Sequence, residues 1–338
     1  MTGVAVVGAG ILGARHARVW HELEETRLLH VVDVDRERAR RVAERWGAAA
    51  STLEEVLADP AVDAASVATP DHLHAASVLA LLEAGKDVLV EKPLATDAGE
   101  ARRMSDTAAR AGRVLQVNLS QRFLPEYAEI ARLVHRGAIG RPAAVTSIKR
   151  DTRFVPERMI SWSAHTSPVW FMTSHDLDLV RWYLGAEPVW VAARERTGTL
   201  AAGHDGLHAL VAFEGGVEAS FSTFWTYPDT YPSVSEDCLE LIGTDGMLRY
   251  DSRGRRLELY TAGEARETGF TGPATTTEVD GRLRGAFTAS LRSFLEAVRT
   301  RRPSATAAAE SVGQVACQAA MLASARSGGH PVRLDETP

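Results

Sequence analysis

The sequence predicts an α/β protein in two parts: a doubly wound parallel sheet, then an α+β domain whose large sheet is mostly antiparallel. Three observations carry this expectation. A short apolar strand, Val4-Ala5-Val6-Val7, runs straight into Gly8-x-Gly10-x-x-Gly13 and a helical pattern. As far as residue 121, apolar strands alternate with helices over short connections, which is the grammar of a parallel sheet. Beyond that point strands follow one another, separated by turn residues, which is the grammar of an antiparallel one. At 338 residues, 45% hydrophobic and 24% charged, the chain has material for two ordinary cores.

In the first part each glycine of the loop has its own task. Gly8 permits a tight turn, Gly10 lets the backbone approach a pyrophosphate, and Gly13 lets helix and strand pack closely. The exposed N–H groups and positive dipole end at the start of the helix suit that anion. The helix is expected over 14–22, where His16 either faces a cofactor or packs as an ordinary helix residue. A second strand, 28–32, ends in Asp33, about 20 residues past Gly13, the spacing of the carboxylate that binds a ribose 2′-hydroxyl. A dinucleotide site at the N-terminus follows, and Asp33 favours NAD over NADP because it repels a 2′-phosphate. Arg36 or Arg38 could swing round and soften that preference, so NADP stays open.

Helices are expected over 36–46, 52–57, 73–83 and 98–111, and further strands over 62–67, 87–90 and 114–117. Ligands of such sheets collect at the carboxyl ends of the strands, which places Thr69 and Pro70 near the nicotinamide half. The strand over 87–90 delivers Glu91, Lys92 and Pro93 to the same edge. A lysine there is a solvated charge or, partly desolvated with its pKa lowered, an acid/base group within reach of a substrate hydroxyl.

The second part, 122–338, starts with a helix over 125–135. Strands are then expected over 143–149, 189–196, 207–213, 217–225, 238–243 and 247–251, with hairpin turns at Glu214-Gly215-Gly216 and Thr244-Asp245-Gly246. Alternation in 217–224 leaves one sheet face for helices and one for another subunit. A Gly/Thr-rich loop is expected around 262–277, and helices over 287–299 and 305–325 close the chain. Within a helix starting near 174, Ser174 reads as an N-cap and Asp176 as a helix-start charge, while His175 and Asp178 share a face at i, i+3. His175 is either structural or functional on that reading.

The net charge of −6 argues against nucleic acid or an anionic membrane as the main partner. Two cysteines, Cys238 and Cys317, stand in no metal or redox spacing and read as buried thiols of a reducing compartment. No metal site is expected. The strand at the N-terminus leaves no room for a signal peptide, no apolar run approaches ~20 residues, and the expected location is the cytoplasm.

Together these stretches resemble the Gfo/Idh/MocA family of nicotinamide-dependent oxidoreductases. The matching motifs are Val7-Gly8-Ala9-Gly10-Ile11-Leu12-Gly13 with His16, Asp33-Val34-Asp35, and Ala68-Thr69-Pro70-Asp71-His72-Leu73-His74. Glu83-Ala84-Gly85-Lys86 leads into Asp87-Val88-Leu89-Val90-Glu91-Lys92-Pro93-Leu94, the most specific of them. Arg122-Phe123-Leu124-Pro125, Gly137-Ala138-Ile139-Gly140 and His175-Asp176-Leu177-Asp178 extend the likeness along the whole chain. The resemblance implies a Rossmann domain over 1–121 and a C-terminal α+β domain over 122–338 that binds substrate and builds a homodimer or homotetramer. It implies cofactor contacts at Gly8, Gly10, Ile11, Leu12, Gly13, Asp33, Thr69, Pro70, His74, Glu91 and Lys92. Substrates would be sugars, sugar derivatives or cyclitols, oxidised or reduced at a secondary alcohol.

By the same resemblance Lys92 contacts the reacting hydroxyl and His175 accepts its proton, while Asp178 either orients His175 or is a structural helix residue. The Asp frequent four residues before that histidine in inositol-dehydrogenase-like members is Phe171 here. The Asn-Arg-Arg-Phe run of many members is Ser120-Gln121-Arg122-Phe123. Hydride transfer from a carbinol needs a base within ~3 Å of the hydroxyl, which an interdomain cleft holding Lys92 and His175 would supply. Arg150, Arg153, Trp162, His165 and Trp170 are candidates for contacting a sugar ring and any acidic substituent, or else surface arginines and core tryptophans. Two other functions remain open: a non-catalytic nucleotide-binding sensor, and a reductase of an imine or non-sugar carbonyl.

Overall fold

The computed structural model describes residues 1–201, 203–271 and 275–334. Among them the chain forms two compact units, Met1–Phe123 with Pro273–Val312 and Leu124–Gly272 with Gly313–Pro338. A single cut near residue 121 therefore does not describe the chain, because a later segment returns to the first unit.

The first unit opens with β1 (Thr2–Val7), α1 (Ile11–Glu22), β2 (Thr26–Val32), α2 (Arg36–Trp46), β3 (Ala49–Ser51) and α3 (Leu53–Ala58). It continues with β4 (Ala64–Val67), α4 (His74–Glu83), β5 (Asp87–Val90), α5 (Ala98–Ala111) and β6 (Leu115–Val117). The six strands pair in parallel in the order β3-β2-β1-β4-β5-β6. The order reverses between β1 and β4, which opens a crevice at their carboxyl ends. Local chemistry sets the helix ends. Asp35 and Asp97 accept backbone N–H groups at the starts of α2 and α5, and Thr52 with Glu55 forms a capping box on α3.

The second unit holds α6 (Pro125–His135), β7 (Pro142–Thr152), α7 (Pro168–Phe171), α8 (Thr173–Leu184), β8 (Pro188–Arg196), β9 (Gly206–Phe213) and β10 (Glu218–Tyr227). Then come β11 (Ser235–Gly243), β12 (Gly246–Asp251), β13 (Arg256–Thr261) and β14 (Ala265–Gly269). The last falls inside the stretch expected to be a loop; its backbone pairs with β13 although its sequence, Ala-Arg-Glu-Thr-Gly, has little strand propensity. Ser174 is not a cap, since α8 begins at Thr173 and buries Ser174 within its first turn.

The chain next adds β15 (Thr277–Val279), β16 (Arg282–Arg284) and α9 (Ala286–Thr300) to the first unit. The reason is burial. Phe287, Leu291, Phe294, Leu295 and Val298 form one stripe of α9 and enter the core that holds Val4, Val6, Trp20 and Val31. Each such side chain contributes about 1.5–3 kcal/mol of burial. Helix α10 (Ala308–Arg326) and the edge strand β17 (Val332–Arg333) end the described chain. The second unit's sheet has nine strands in the order β14-β13-β12-β11-β7-β10-β9-β8-β17, antiparallel except where β7 meets β10.

On β10, Ala219, Phe221, Thr223 and Trp225 are buried and the alternate residues are more open. The same alternation leaves Cys238 only half-buried on β11, contrary to expectation, while Cys317 on α10 is fully buried; both are free thiols. No helix among the described residues is long and apolar enough to cross a membrane.

Candidate active site

The glycine loop shows why three glycines stand there. Gly8 has φ +93°, and a Cβ on it would lie 2.6 Å from the Ala68 carbonyl oxygen at the end of β4. A Cβ on Gly13 would lie 1.7 Å from the Gly8 carbonyl oxygen. Gly10 differs: a Cβ there would meet nothing within 4 Å. Gly8 and Gly13 thus serve packing of the chain on itself, whereas Gly10 keeps a space clear at the start of α1. Ile11, the first helical residue, is 58% exposed beside it, and Leu12 is partly buried against the core.

Asp33 ends β2 with both carboxylate oxygens engaged. Oδ2 accepts from the Ala9 N–H at 2.7 Å and Oδ1 from the Asp35 N–H at 2.8 Å. Arg38 adds a forked pair, Nε to Oδ2 at 3.1 Å and Nη2 to Oδ1 at 2.6 Å. Burial pushes the carboxyl pKa up, but Arg38 and the two amides outweigh it and hold it below the usual value.

The turns after β4 and β5 carry the remaining first-unit candidates. Thr69 Oγ1 and Asn118 Oδ1, near the carboxyl ends of β4 and β6, are buried without a hydrogen-bond partner among the described residues. Such orphans fit a polar ligand at that edge. His74 was expected to contact the cofactor, but its ring is 1% exposed. Nδ1 lies 2.9 Å from the Pro93 carbonyl oxygen and Nε2 3.1 Å from that of Thr69, so the ring ties the two turns together. Burial lowers its pKa.

Glu91 also turns inward. Its carboxylate, in a residue 5% exposed, accepts from His16 Nε2 at 2.9 Å and Asn118 Nδ2 at 2.7 Å. His16 is wholly buried, its other nitrogen 3.2 Å from Ser66 Oγ, which accepts from Trp20 Nε1. Of the alternatives for His16, the packing role holds, because α1 lays that face on β4 and β5. Lys92 comes next in the chain, half-buried, with its N–H 3.3 Å from Glu91 Oε2 and a cis bond to Pro93.

In the second unit, His175 lies half-buried in the first turn of α8, and Asp178, one turn on, is 2% exposed. Phe171 ends α7 with its ring 6.2 Å from that of Trp225. It joins Trp162 and Met159 against a cluster of Val155, Ile160, Met172, Leu200 and Trp225. Trp162 is the one substrate candidate brought to this aromatic wall.

The other candidates lie elsewhere. Arg150 follows Lys149 on β7 and therefore takes the opposite sheet face, where it donates to the Ser222 carbonyl and hydroxyl and sits 5.2 Å from the Phe224 ring. Trp170 is 7% exposed, a core residue. Arg153 is exposed just beyond β7, and His165 is exposed on a short turn.

A buried charge cluster next to His175 escaped the sequence reading. The Lys149 ammonium, in a residue 4% exposed, lies 2.7 Å from Asp237 and 3.2 Å from Asp176, and Tyr127 donates to Asp237 at 2.9 Å. Burial works against the Lys149 charge, but the carboxylates around it raise its pKa well above the usual lysine value. Burial and the nearby Asp237 carboxylate push Asp176 up against the pull of Lys149. Asp176 is thus an element of a network, not merely a helix-start charge. Its signal was a lysine at an inward position of β7, in line with Val145 and Ser147.

On the sheet's other face, ligand atoms of Glu236, Cys238 and Asp251 lie within 4.8 Å of one another. Burial and the neighbouring carboxylates push the Cys238 thiol up to about 11, which keeps it protonated and a poor metal ligand.

Comparison with known proteins fits this geometry. Residues 2–119 match the model of an oxidoreductase family NAD-binding Rossmann fold, and residues 131–334 match that family's C-terminal alpha/beta domain. Inositol 2-dehydrogenase 1 of Saccharopolyspora erythraea is 36% identical over 209 residues, 59% of this chain and 59% of that protein, so under two thirds of that relative is matched. Inositol 2-dehydrogenase 3 of the same organism is 31% identical over 304 residues, 87% of this chain and 84% of that protein. The crystal structure of GenD2 from gentamicin A biosynthesis, in complex with NAD, is 28% identical with a TM-score of 0.82, covering 98% of this chain and 96% of that one. With both domains of the family matched along residues 2–119 and 131–334, the chain belongs to the Gfo/Idh/MocA family of NAD-binding oxidoreductases.

Proposed function

We propose that this protein is an NAD-dependent dehydrogenase that oxidises a secondary hydroxyl of a cyclitol or sugar derivative, or reduces the matching ketone. The observation that carries the reading is the placement of Lys92 directly after Glu91, on a turn fixed by the His16–Glu91–Asn118 network and by His74. NAD, when bound, supplies the hydride acceptor.

The chain's own residues do the rest. Gly8, Gly10, Ile11, Leu12 and Gly13 cradle the pyrophosphate, and Asp33 receives the ribose. Thr69, Pro70 and Asn118 border the nicotinamide edge. Glu91 and His74 hold the turns and do not touch the cofactor with their side chains. Lys92 donates to the reacting oxygen, which favours the alkoxide, and His175 accepts the hydroxyl proton. Asp178 orients the helix turn that bears His175. Trp162 and Phe171 give the sugar ring an apolar face, where a carboxylate at 171 would bond a hydroxyl. The inositol 2-dehydrogenase relatives support a cyclitol. The apolar face suits a glycoside as well, so one belongs on the same panel.

The open face of the nine-stranded sheet, with Ile242 45% and Tyr260 44% exposed, fits a second copy of the chain in a homodimer or homotetramer. Two free thiols suit a reducing, cytoplasmic setting.

Nicotinamide absorbance with NAD and a panel of inositols, aldoses, glycosides and sugar acids tests the reading. Turnover with wild type is expected, with kcat falling roughly 10²–10⁴-fold in Lys92→Met and in His175→Gln. No turnover with NAD binding intact would shift the assignment to a sensor or to an imine substrate. Full activity in both variants would remove the assigned proton chemistry.

A further inference from the structure

Two glutamines one turn apart on α10 reach across to the joint between α7 and α8. Gln314 Nε2 donates to the Ser174 carbonyl oxygen at 2.7 Å, and Gln318 Nε2 donates to that of Val169 at 2.5 Å. The first carbonyl lies in the turn of α8 that bears His175, the second in the short helix that ends at Phe171. Between them the chain breaks at Met172, and the His175 N–H closes a tight turn on the Met172 carbonyl oxygen at 3.2 Å. The last four carbonyls of a helix lack partners within it, so the Val169 carbonyl of a four-residue helix needs a donor from outside. Gln318 is that donor.

The turn that carries His175 is held from other sides as well. Thr173 Oγ1 donates to Thr223 Oγ1 on β10 at 3.1 Å, and Asp176 lies 3.2 Å from Lys149 on β7. Thr173, Ser174 and Asp176 are buried, and His175 alone of the four is half-buried. The two glutamines are 1% and 0% exposed, and the Oε1 of each is buried with no partner among the described residues. An unmet buried acceptor carries a desolvation cost that methionine, of similar length, would avoid. What the amides add is direction, since each fixes one carbonyl on one side of the joint.

We propose that Gln314 and Gln318 are positioning residues that together set the α7–α8 joint, Gln314 holding the turn that presents His175 and Gln318 the helix that presents Phe171. Losing one bond releases one side. A displacement of about 1 Å at a reacting group costs roughly 10²-fold in rate, whereas a shift of the aromatic wall changes how a substrate ring is held. Gln314 therefore acts on kcat and Gln318 on KM. The effect on turnover rests on the reading of His175 as proton acceptor; the joint itself does not, so the two can fail separately.

The test compares the full chain as wild type, Gln314→Met and Gln318→Met, the variants keeping length and removing the donor. With a substrate that the wild type turns over, Gln314→Met is expected to lower kcat about 10–100-fold and leave KM within about threefold. The primary deuterium isotope effect on kcat should rise with it, because hydride transfer becomes the slow step. Gln318→Met is expected to raise KM about three- to tenfold with little change in kcat. NAD affinity by titration should stay at the wild-type value in both. Carbethoxylation by diethyl pyrocarbonate, read at His175 by peptide mass spectrometry, needs no substrate. Its rate at His175 should rise roughly threefold or more in Gln314→Met and not in Gln318→Met. Gln314→Asn, whose amide is one methylene short of the carbonyl, replaces the methionine variant if that one does not fold. Equal changes in both variants, or NAD affinity falling alongside, would mean general loosening and overturn the proposal. So would unchanged kinetics and labelling with a lowered melting temperature, which would confine the glutamines to the scaffold. A wild type silent on every substrate would remove the assigned activity and leave the labelling to decide the joint.

Discussion

His16 Nε2 donates to Glu91 Oε1 across 2.9 Å, and the two residues are 0% and 5% exposed. This one bond joins the helix that follows the glycine loop to the strand end that carries Lys92. Burial opposes the Glu91 charge, but His16, Asn118 and Lys92 outweigh it, and the carboxyl pKa lies below the ordinary glutamate value. Removing one partner of a buried pair leaves a stranded charge, at a cost of about 3–5 kcal/mol. His16→Ala is therefore expected to lower unfolding stability by that amount in urea denaturation. The sign of the pH effect follows from linkage. With the folded pKa depressed, the contribution is complete above the unfolded pKa near 4.5 and disappears as pH falls through the folded value. Glu91→Gln should flatten that acid limb, and an unchanged limb would show that Glu91 is not its source.

Gly10 and Gly13 differ by three positions and should respond oppositely to the same methyl group. A Cβ at Gly13 would sit 1.7 Å from the Gly8 carbonyl oxygen, so α1 must shift away from the turn. Gly13→Ala is expected to cost about 1–3 kcal/mol or more of stability through overpacking. A Cβ at Gly10, the N-cap of α1, meets nothing within 4 Å, so Gly10→Ala should cost only about 0.5–1 kcal/mol, the difference between glycine and alanine as an N-cap. Its methyl group would stand where the pyrophosphate approaches, and NAD affinity should fall at least about tenfold. Normal NAD binding by a well-folded Gly10→Ala would place the pyrophosphate elsewhere.

What the sequence disclosed was what it encodes locally. The turn, the open glycine and the carboxylate at Asp33 lie within one βαβ unit, and their spacing alone specifies them. The parallel order followed from alternation. Strand β14 did not show, because pairing rather than propensity makes it a strand. The return of α9 to the first unit depends on Trp20 and Phe294 meeting edge to face, a contact between positions far apart in the chain. Trp170 and Arg150 were misplaced for a different reason. Strand alternation and burial, not nearness in sequence to His175, decide where these two side chains stand. The Lys149 cluster joins β7, α8 and β11, and no local pattern marks its carboxylate partners.

His74 holds two turns with one ring, reaching the Pro93 carbonyl at 2.9 Å and that of Thr69 at 3.1 Å. Two facing carbonyls favour the doubly protonated ring, and burial opposes it and prevails, so the neutral ring donates to one of them. His74→Ala should cost roughly 1–3 kcal/mol from lost bonding and leave buried carbonyls unsatisfied. Because Thr69 and Lys92 flank those turns, NAD affinity should fall with it, while Glu91 keeps its own partners. A loss of stability with unchanged NAD affinity, read by titration on the folded variant, would confine His74 to the scaffold.

Lys149 is shared between Asp176 at 3.2 Å and Asp237 at 2.7 Å, one cation between a buried and a partly buried carboxylate. Lys149→Met would strand both and should cost about 3–5 kcal/mol. Asp176→Asn should be far milder, because burial and Asp237 already push the Asp176 pKa up, to about 7. The linkage sign is opposite to that of Glu91. A carboxyl whose folded pKa exceeds its unfolded value of 3.8 binds its proton more tightly in the fold, so its contribution is complete below pH 3.8 and declines as pH rises toward 7. Wild type should therefore lose stability across that window relative to Asp176→Asn, whose side chain is neutral throughout. Urea denaturation of both proteins at pH 5, 6, 7 and 8 measures the difference, each tenfold gain in proton affinity on folding being worth roughly 1.4 kcal/mol. Parallel curves would mean that Asp176 is ionised in the fold at all these pH values, with the Lys149 ammonium dominating its surroundings.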